Sequence, residues 1–537
     1  IMKKNLFALL LMTLLVMSSR AQDSFLYRVE LEPVVVPNLP GMHSFAYAQH
    51  DGKWLILGGR LDGIHARQPF NAFPENQNNK EAFVIDYENQ TFWSANLDVL
   101  PVSIFEQMQS TNMNFYQVED TLYFIGGYAY SNTEQDHITF PSMTTIIVSE
   151  VMNAIMDAGD ITPFFKQIDD DIFALTGGQM GKMDGKLMII GGHRFDGRYN
   201  PMGHATYVQS YSNAIRTFEV NNAGTQLSFS NYSEVIDPVH LRRRDYNLLP
   251  QIFEDGTMGY TISSGVFQET IDLPFLYPVD IKPSGHTPNT SFNQYLSNYH
   301  GSKVAIHDAV NNQTHNLFFG GMSQYYYDNG TLVQDDQVPF VKTISRLSRY
   351  SDGSLQEFVL PVEMPALKGA SSEFIMNLAV PHHAEKIIKL NEAAGISDTI
   401  LVGHIVGGIL SPTLNPFSNN VTETTSADAS IYAVKLIYDP SLSSAPIAQS
   451  NPHTLSAFPN PVKDKISLEM NIQGGNWIEY HITSVDGQVL QTGEFDKVKN
   501  GTKTYTIKLN KNISPQPLFL TVSVDNVHFF YHKLIKE

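Results

Sequence analysis

The sequence contains no cysteine, which excludes disulfide bonds, thiolate metal centres and cysteine nucleophiles. A lipidated N-terminal cysteine is excluded with them. Charged residues are scarce at 17%, and acids outnumber bases 54 to 35, for a formal net charge of −19. Such a chain repels a nucleic-acid backbone, and its one dense basic run is Arg242-Arg243-Arg244. Nucleic-acid binding is not expected. Long apolar runs are missing as well. Leu6 to Met17 is 12 residues long, against the roughly 20 that a membrane helix needs, so no transmembrane anchor is expected.

What is present describes a packed protein of strands and turns. The 537 residues are 42% hydrophobic and 11% aromatic, enough for one large domain and a small one. Lys3-Lys4, the apolar stretch Leu6 to Met17 and the small-x-small triplet Ser19-Arg20-Ala21 read as a signal peptide over 1–21. The mature chain then starts at Gln22 and is exported.

A short pattern recurs through the next 400 or so residues (an order-of-magnitude span for repeat arrays): a polar turn, four or five apolar residues, then a glycine pair. It stands as DGKWLILGG (Asp51 to Gly59), EDTLYFIGG (Glu119 to Gly127), DGKLMIIGG (Asp184 to Gly192) and THNLFFGG (Thr314 to Gly321). Two weaker copies are DGTMGYTISSG (Asp255 to Gly265) and SDTILVGHIVGG (Ser397 to Gly408). Asp-Gly suits the positive φ angles of a tight hairpin. The apolar run is too short for a helix and fits a buried strand. An alternating, aromatic-containing strand follows in EAFVIDYENQTFWSANL, SNAIRTFEV, VKTISRLSRY and ASIYAVKLIYD.

Glycine doublets ending a second strand, with Asp86-Tyr87 and Trp93 after the first of them, resemble the kelch-repeat β-propellers. That resemblance implies four-stranded blades around one axis. Six copies imply six blades, starting near Gly41, Pro101, Ile172, His240, Asn298 and Ala370. Phe25 to Pro37 is an orphan alternating strand, and the last copy lacks a fourth strand. The N-terminal strand is therefore expected to complete the sixth blade, removing exposed sheet edges. The expected fold class is all-β: a six-bladed kelch-like propeller over 22–440, a Ser/Ala/Pro-rich linker over 441–454, and a small immunoglobulin-like sandwich over 455–537.

The last segment carries Phe458-Pro459-Asn460-Pro461, the turn Val485-Asp486-Gly487-Gln488 and a terminal Lys533-Leu534-Ile535-Lys536. With seven short strands in its length, it resembles the type A C-terminal sorting domain of the type IX secretion system of Bacteroidota. Pro515-Gln516-Pro517 replaces that family's usual glycine before the penultimate strand. The resemblance implies the secretion machinery as a partner. The alternative is an accessory domain that binds sugar or packs on the propeller.

No catalytic motif stands out. Aligning the six copies puts His43, Asn112, Gln179, Arg244, His300 and Glu373 near the starts of the inner strands. Loops after the glycine pairs add Arg60, Asp62, His65, Tyr128, His193, Arg194 and Tyr325. From these, His43, Arg60, Asn112, Gln179, His193, Arg194, Arg244, His300, Tyr325 and Glu373 form the expected ligand-binding rim of a channel, polar and aromatic as a glycan or peptide requires. No metal site is expected. His382-His383 are adjacent and lack a carboxylate at ligand spacing, Asp169-Asp170-Asp171 lacks the spacing of a calcium loop, and no HExxH occurs. A galactose-oxidase-like copper site needs a tyrosine joined to cysteine, and Ser351-Asp352-Gly353-Ser354 lacks the sialidase box. No cofactor is expected.

The resulting expectation is an exported surface or secreted propeller that binds an extracellular glycan or protein without catalysing a reaction. Two other readings stay open. One is a glycan-acting enzyme (epimerase, lyase or glycosidase), favoured by two carboxylates or a His-Arg-Glu group converging at the channel mouth. The other is a structural adhesion component.

Overall fold

A computed structural model describes residues 24–201, 206–328, 330–442, 446–447, 454–472, 477–485, 488–495, 501–524 and 528–537. The expected signal peptide, most of the linker and the Asp486-Gly487 turn lie outside them. The described chain is all-β, built from many small sheets.

Six of these follow one another along the chain, five with four antiparallel strands and one with a fifth strand added. The first contains Ala46–His50, Lys53–Leu57, Glu81–Asp86 and Thr91–Asn96. The second contains Asn114–Val118, Thr121–Ile125, Ser142–Ile147 and Phe165–Asp169, and the third Gln179–Met183, Lys186–Ile190, Ala214–Asn221 and Ser228–Ile236. The fourth contains Asn247–Ile252, Met258–Ser263, Val279–Lys282 and Gly285–Pro288. Lys303–Asp308, Gln313–Met322, Phe340–Arg349 and Leu355–Glu363 make the fifth, with Ile388–Lys389 added in parallel at its inner edge. The sixth joins Glu373–Met376, Thr399–Val406 and Ile431–Tyr438 to the N-terminal strand Tyr27–Val34, which pairs antiparallel with Ile431–Tyr438. The two ends of the stretch from Tyr27 to Tyr438 thus share one sheet.

Local chemistry explains the repeated unit. Asp51 and Gly52, like Asp184 and Gly185, all have positive φ, the conformation of the two-residue turns that match strand twist. The second strands are buried on both faces, as KWLIL is at all but its first residue. Successive side chains point to opposite sides, so Leu55 and Leu57 pack towards the second sheet while Trp54 and Ile56 pack towards the sixth.

Each neighbouring pair of sheets shares its own core. The second and third meet through Ile125, Met143, Met180 and Ile189, and the third and fourth through Met188, Ile190, Tyr260 and Ile262. The fourth and fifth meet through Leu249, Ala305 and Phe318, and the fifth and sixth through Ile306, Leu317, Phe374 and Val434. The sixth then packs back on the first through Ile375, Val406, Ile56 and Phe83. No described sheet closes on itself; the chain is closed by sheet-to-sheet packing.

Among the described residues, three short α-helices depart from the all-strand expectation. Val102–Met108 occupies the stretch expected to open the second repeat, and Val148–Met156 and Leu390–Ala394 fall in connections. Val148, Val151, Met152 and Ile155 recur at helical spacing and are buried against the core between the first two sheets. The C-terminal segment forms seven strands in two sheets. Thr454–Phe458, Lys465–Ile472 and Gly501–Lys508 make one, and Val489–Phe495, Ile478–Ser484, Pro517–Val524 and His528–Ile535 the other. They enclose a separate core of Ile466, Leu468, Met470, Ile482, Leu520 and Val522.

Candidate functional site

Just ahead of the first strand of each of the six sheets, one residue joins a shared hydrogen-bonded ring. Ser44, Asn112, Gly177, Asp245 and Ser371 all have positive φ, which Gly, Asn and Asp adopt most readily. Their backbones form a closed ring of six hydrogen bonds. Asn112 donates its N–H to Ser44 (3.1 Å), Gly177 to Asn112 (3.3 Å) and Asp245 to Gly177 (2.7 Å). His300 donates to Asp245 (2.8 Å), Ser371 to His300 (2.9 Å) and Ser44 to Ser371 (3.0 Å). One residue from the segment leading into each sheet therefore stands in the ring.

Inside it lies a cavity of about 70 Å³, lined by Ser44, Asn112, Asn114, Gly177, Gln179, Asp245, His300 and Glu373, with Phe45, Met113, Phe115 and Met180. At roughly 15 Å³ per water it has room for about five. His300 Nε2 lies 3.1 Å from Glu373 Oε1, and both side chains are largely buried. Asp245 is paired with the guanidinium of Arg244. Gln179 is fixed on both sides, donating to the Tyr246 carbonyl and accepting from the Leu248 N–H at 3.1 Å. Asn114 donates to the carbonyls of Ile125 and Leu175, while its Oδ1 is buried without a hydrogen bond among the described residues.

Of the ten rim residues expected from sequence, Asn112, Gln179, His300 and Glu373 share this cavity. Arg244 stands beside it, donating to Tyr211 Oη at 3.1 Å. His43 and Arg60 are taken up by packing. Arg60 is 2% exposed and is held by Asp62 (2.8 and 2.6 Å) and Asn78 (2.8 Å), and His43 Nδ1 meets Ser44 Oγ at 2.9 Å. His193 is buried, with Nδ1 2.6 Å from the Gln209 amide, and burial together with Arg244 and Arg242 holds its imidazole well below the usual range. Arg194 faces solvent, bound to Asp196 and Asp171. Tyr325 is not on the cavity. It is buried in the hairpin Tyr325–Asp328/Thr331–Gln334, edge-on to Tyr295 and donating to Gln334 at 3.0 Å.

An aromatic group that the sequence did not disclose gathers beside the ring. The His65 ring lies 4.8 Å from Phe73, 4.6 Å from Tyr199 and 5.3 Å from Phe417, so loops of the first, third and sixth sheets meet there. Burial pushes His65 down to about 4, and Arg244 and Arg60 act in the same direction. Three residues further along the inner strand from Ser44, on the order of 10 Å, the Tyr47 ring lies 6.0 Å from Lys386 Nζ. Burial pushes that amine down to about 8. Among the described residues no group of three or more His, Asp or Glu side chains stands close enough to hold a metal ion.

The fold and cavity define an all-β protein with one polar, enclosed centre, and the C-terminal segment gives its destination. Residues 456–515 match the family described as the secretion system C-terminal sorting domain. The chain is accordingly a protein carried to the cell surface or outside by type IX secretion, through interaction of this domain with the secretion machinery. No described helix is long and apolar enough to cross a membrane. No curated protein matches the chain. Among solved structures, YjhT is similar at 11% identity and a TM-score of 0.43, over 77% of this chain and 100% of that one. A fungal alcohol oxidase of the AA5 family, solved in complex with copper, is similar at 10% identity and a TM-score of 0.36, over 94% and 99%.

Proposed function

We propose that residues 22–440 are a six-bladed, kelch-like propeller that binds an extracellular glycan at the ring cavity and its aromatic border, with 441–454 as linker and 455–537 as the sorting sandwich. Six sheets in series, six cores between them and the closed ring of backbone bonds support the propeller reading. The observation that carries the binding reading is the convergence of polar side chains from several sheets on one cavity: Asn112, Gln179, Asp245, His300 and Glu373. Sugars are recognised by that combination of hydrogen-bonding groups and nearby aromatic faces.

A second reading is favoured by a specific feature. His300, Glu373 and Asp245 line the same cavity with Arg244 adjacent. An imidazole paired with one carboxylate and facing another can move a proton at a bound sugar, as an epimerase, lyase or glycosidase requires.

Titration of the full-length protein against a glycan and peptide array, followed by NMR of each bound glycan for chemical change, separates the readings. Binding with no conversion supports the module. Conversion that disappears in Glu373→Gln supports the enzyme. A protein that binds only peptides, or nothing at millimolar concentration, overturns the glycan assignment.

A further inference from the structure

The chain as a whole is acidic, at −19, yet half of its 12 arginines follow the first and third glycine pairs or lie just ahead of the fourth sheet: Arg60, Arg67, Arg194, Arg198, Arg242 and Arg244. Arg60, Arg194 and Arg244 are neutralised by Asp62, by Asp196 with Asp171, and by Asp245. The other three have no carboxylate within ion-pair distance among the described residues. Arg67 donates to the Ser418 carbonyl (3.0 Å), Arg198 to the Phe70 carbonyl (3.4 Å) and Arg242 to the Phe267 carbonyl. Each guanidinium has five N–H donors, so most of them have no protein acceptor among the described residues. Arg67 Nε is buried with no hydrogen bond among those residues.

Aromatic rings hold two of these cations in place. Arg67 sits 5.5 Å from the Phe417 ring and Arg242 3.8 Å from the Tyr211 ring. Phe417 touches His65, and His65 touches Tyr199. The Tyr199 phenol feels both Arg67 and Arg244, and Tyr211 accepts from Arg244. Arg67 and Arg242 thus flank the same aromatic border. The acidic groups facing them are Asp272, which acts on Tyr199, and Glu269, whose carboxyl burial pushes up while Arg242 draws it down. Neither forms an ion pair with Arg67, Arg198 or Arg242 in the described residues.

We propose that the glycan taken by this site is anionic, its carboxylate or sulfate groups received by Arg67 and Arg242. The inference rests on the glycan-binding reading above. A planar guanidinium with free donors is suited to either oxyanion, and a neutral sugar would leave these cations without a counterion.

The test titrates the full-length protein with a uronate oligosaccharide, a sulfated oligosaccharide and a neutral oligoglucoside of equal length, at low and high salt. The acidic oligomers should bind about tenfold or more tightly than the neutral one, the order expected for charge-assisted hydrogen bonds, and should weaken with salt. Whichever of the uronate and sulfated arms binds tighter identifies the acid group. R67A/R242A should lose about tenfold for the acidic ligand and so erase its advantage over the neutral one, while R67K/R242K, which keeps the charge, checks against misfolding by retaining part of the affinity. Equal, salt-independent affinity for acidic and neutral oligomers overturns the proposal but leaves glycan binding standing. No binding by any of the three removes both.

Discussion

His300 Nε2 and Glu373 Oε1 stand 3.1 Å apart, so the fifth and sixth sheets meet through a titratable pair inside the cavity. Neither side chain has another hydrogen-bond partner among the described residues, which leaves their remaining capacity for a ligand. Replacing Glu373 by Gln keeps the size and removes the charge. Ligand affinity should fall about tenfold or more with the melting temperature nearly unchanged. A calorimetric titration and a thermal melt check it, and undiminished affinity would take the pair out of the site.

The glycine pairs are required by close approach. A Cβ on Gly126, where φ is +67, would lie 1.7 Å from the Leu175 carbonyl oxygen. Gly126→Ala should therefore cost about 3 kcal/mol or more. At Gly52 φ is +72 but nothing lies within 4 Å, so Gly52→Ala should cost only about 1 kcal/mol. Urea unfolding of the two variants compares them directly, and equal losses would contradict the packing argument.

Phe25 fastens the N-terminal strand. It is 1% exposed, 4.8 Å from the His315 ring and 4.7 Å from the Arg346 guanidinium of the fifth sheet. Phe25→Ala should destabilise by about 3 to 4 kcal/mol. Hydrogen exchange should show the loss first at Tyr27–Val34 and Ile431–Tyr438, where the two ends of the chain pair. Uniform loss across all six sheets would instead mean that this seam does not open separately.

Glu357 is 1% exposed and accepts the N–H groups of Tyr295 and Leu296. Burial nevertheless pushes its carboxyl up to about 8, against an ordinary 4.5. The folded state then keeps a proton that the unfolded chain releases between those values, so this group's contribution to stability falls as pH rises from about 4.5 to about 8. Relative to Glu357→Gln, which cannot ionise, the native protein should lose ground across that window. Denaturant unfolding at pH 5, 6.5 and 8 measures the gap, and a constant gap refutes the assignment.

Ending the chain before Leu455 removes the segment that contains the matched sorting domain, residues 456–515. The folded remainder should then accumulate inside the outer membrane instead of reaching the surface or medium. Cell fractionation decides it, and normal delivery of the truncated chain would assign sorting elsewhere.

Part of this was legible in the sequence because it is local chemistry. Asp-Gly turns, apolar runs ending in glycine pairs, and the alternation in KISLEMNI, buried at every second position, each follow from backbone sterics and a strand period of two. Other positions depended on contacts between distant segments. The repeat alignment points to Arg244, yet it is its neighbour Asp245, held at positive φ just ahead of the strand, that lines the cavity. Tyr325 was placed on the rim because it follows a glycine pair. In the fifth sheet, however, the strand Gln313–Met322 runs through Gly320 and Gly321 with a register shift, and the chain leaves in another direction.

The sequence by itself determined the repeat, the hairpins and the secretion segment, because each is written in residues close along the chain. Only the tertiary structure decided which side chains meet at the axis, and that His65, Phe73, Tyr199 and Phe417 cluster beside it. Those residues lie in three separate loops, and their encounter is fixed by how six sheets pack in a circle, an arrangement that no short stretch of sequence encodes.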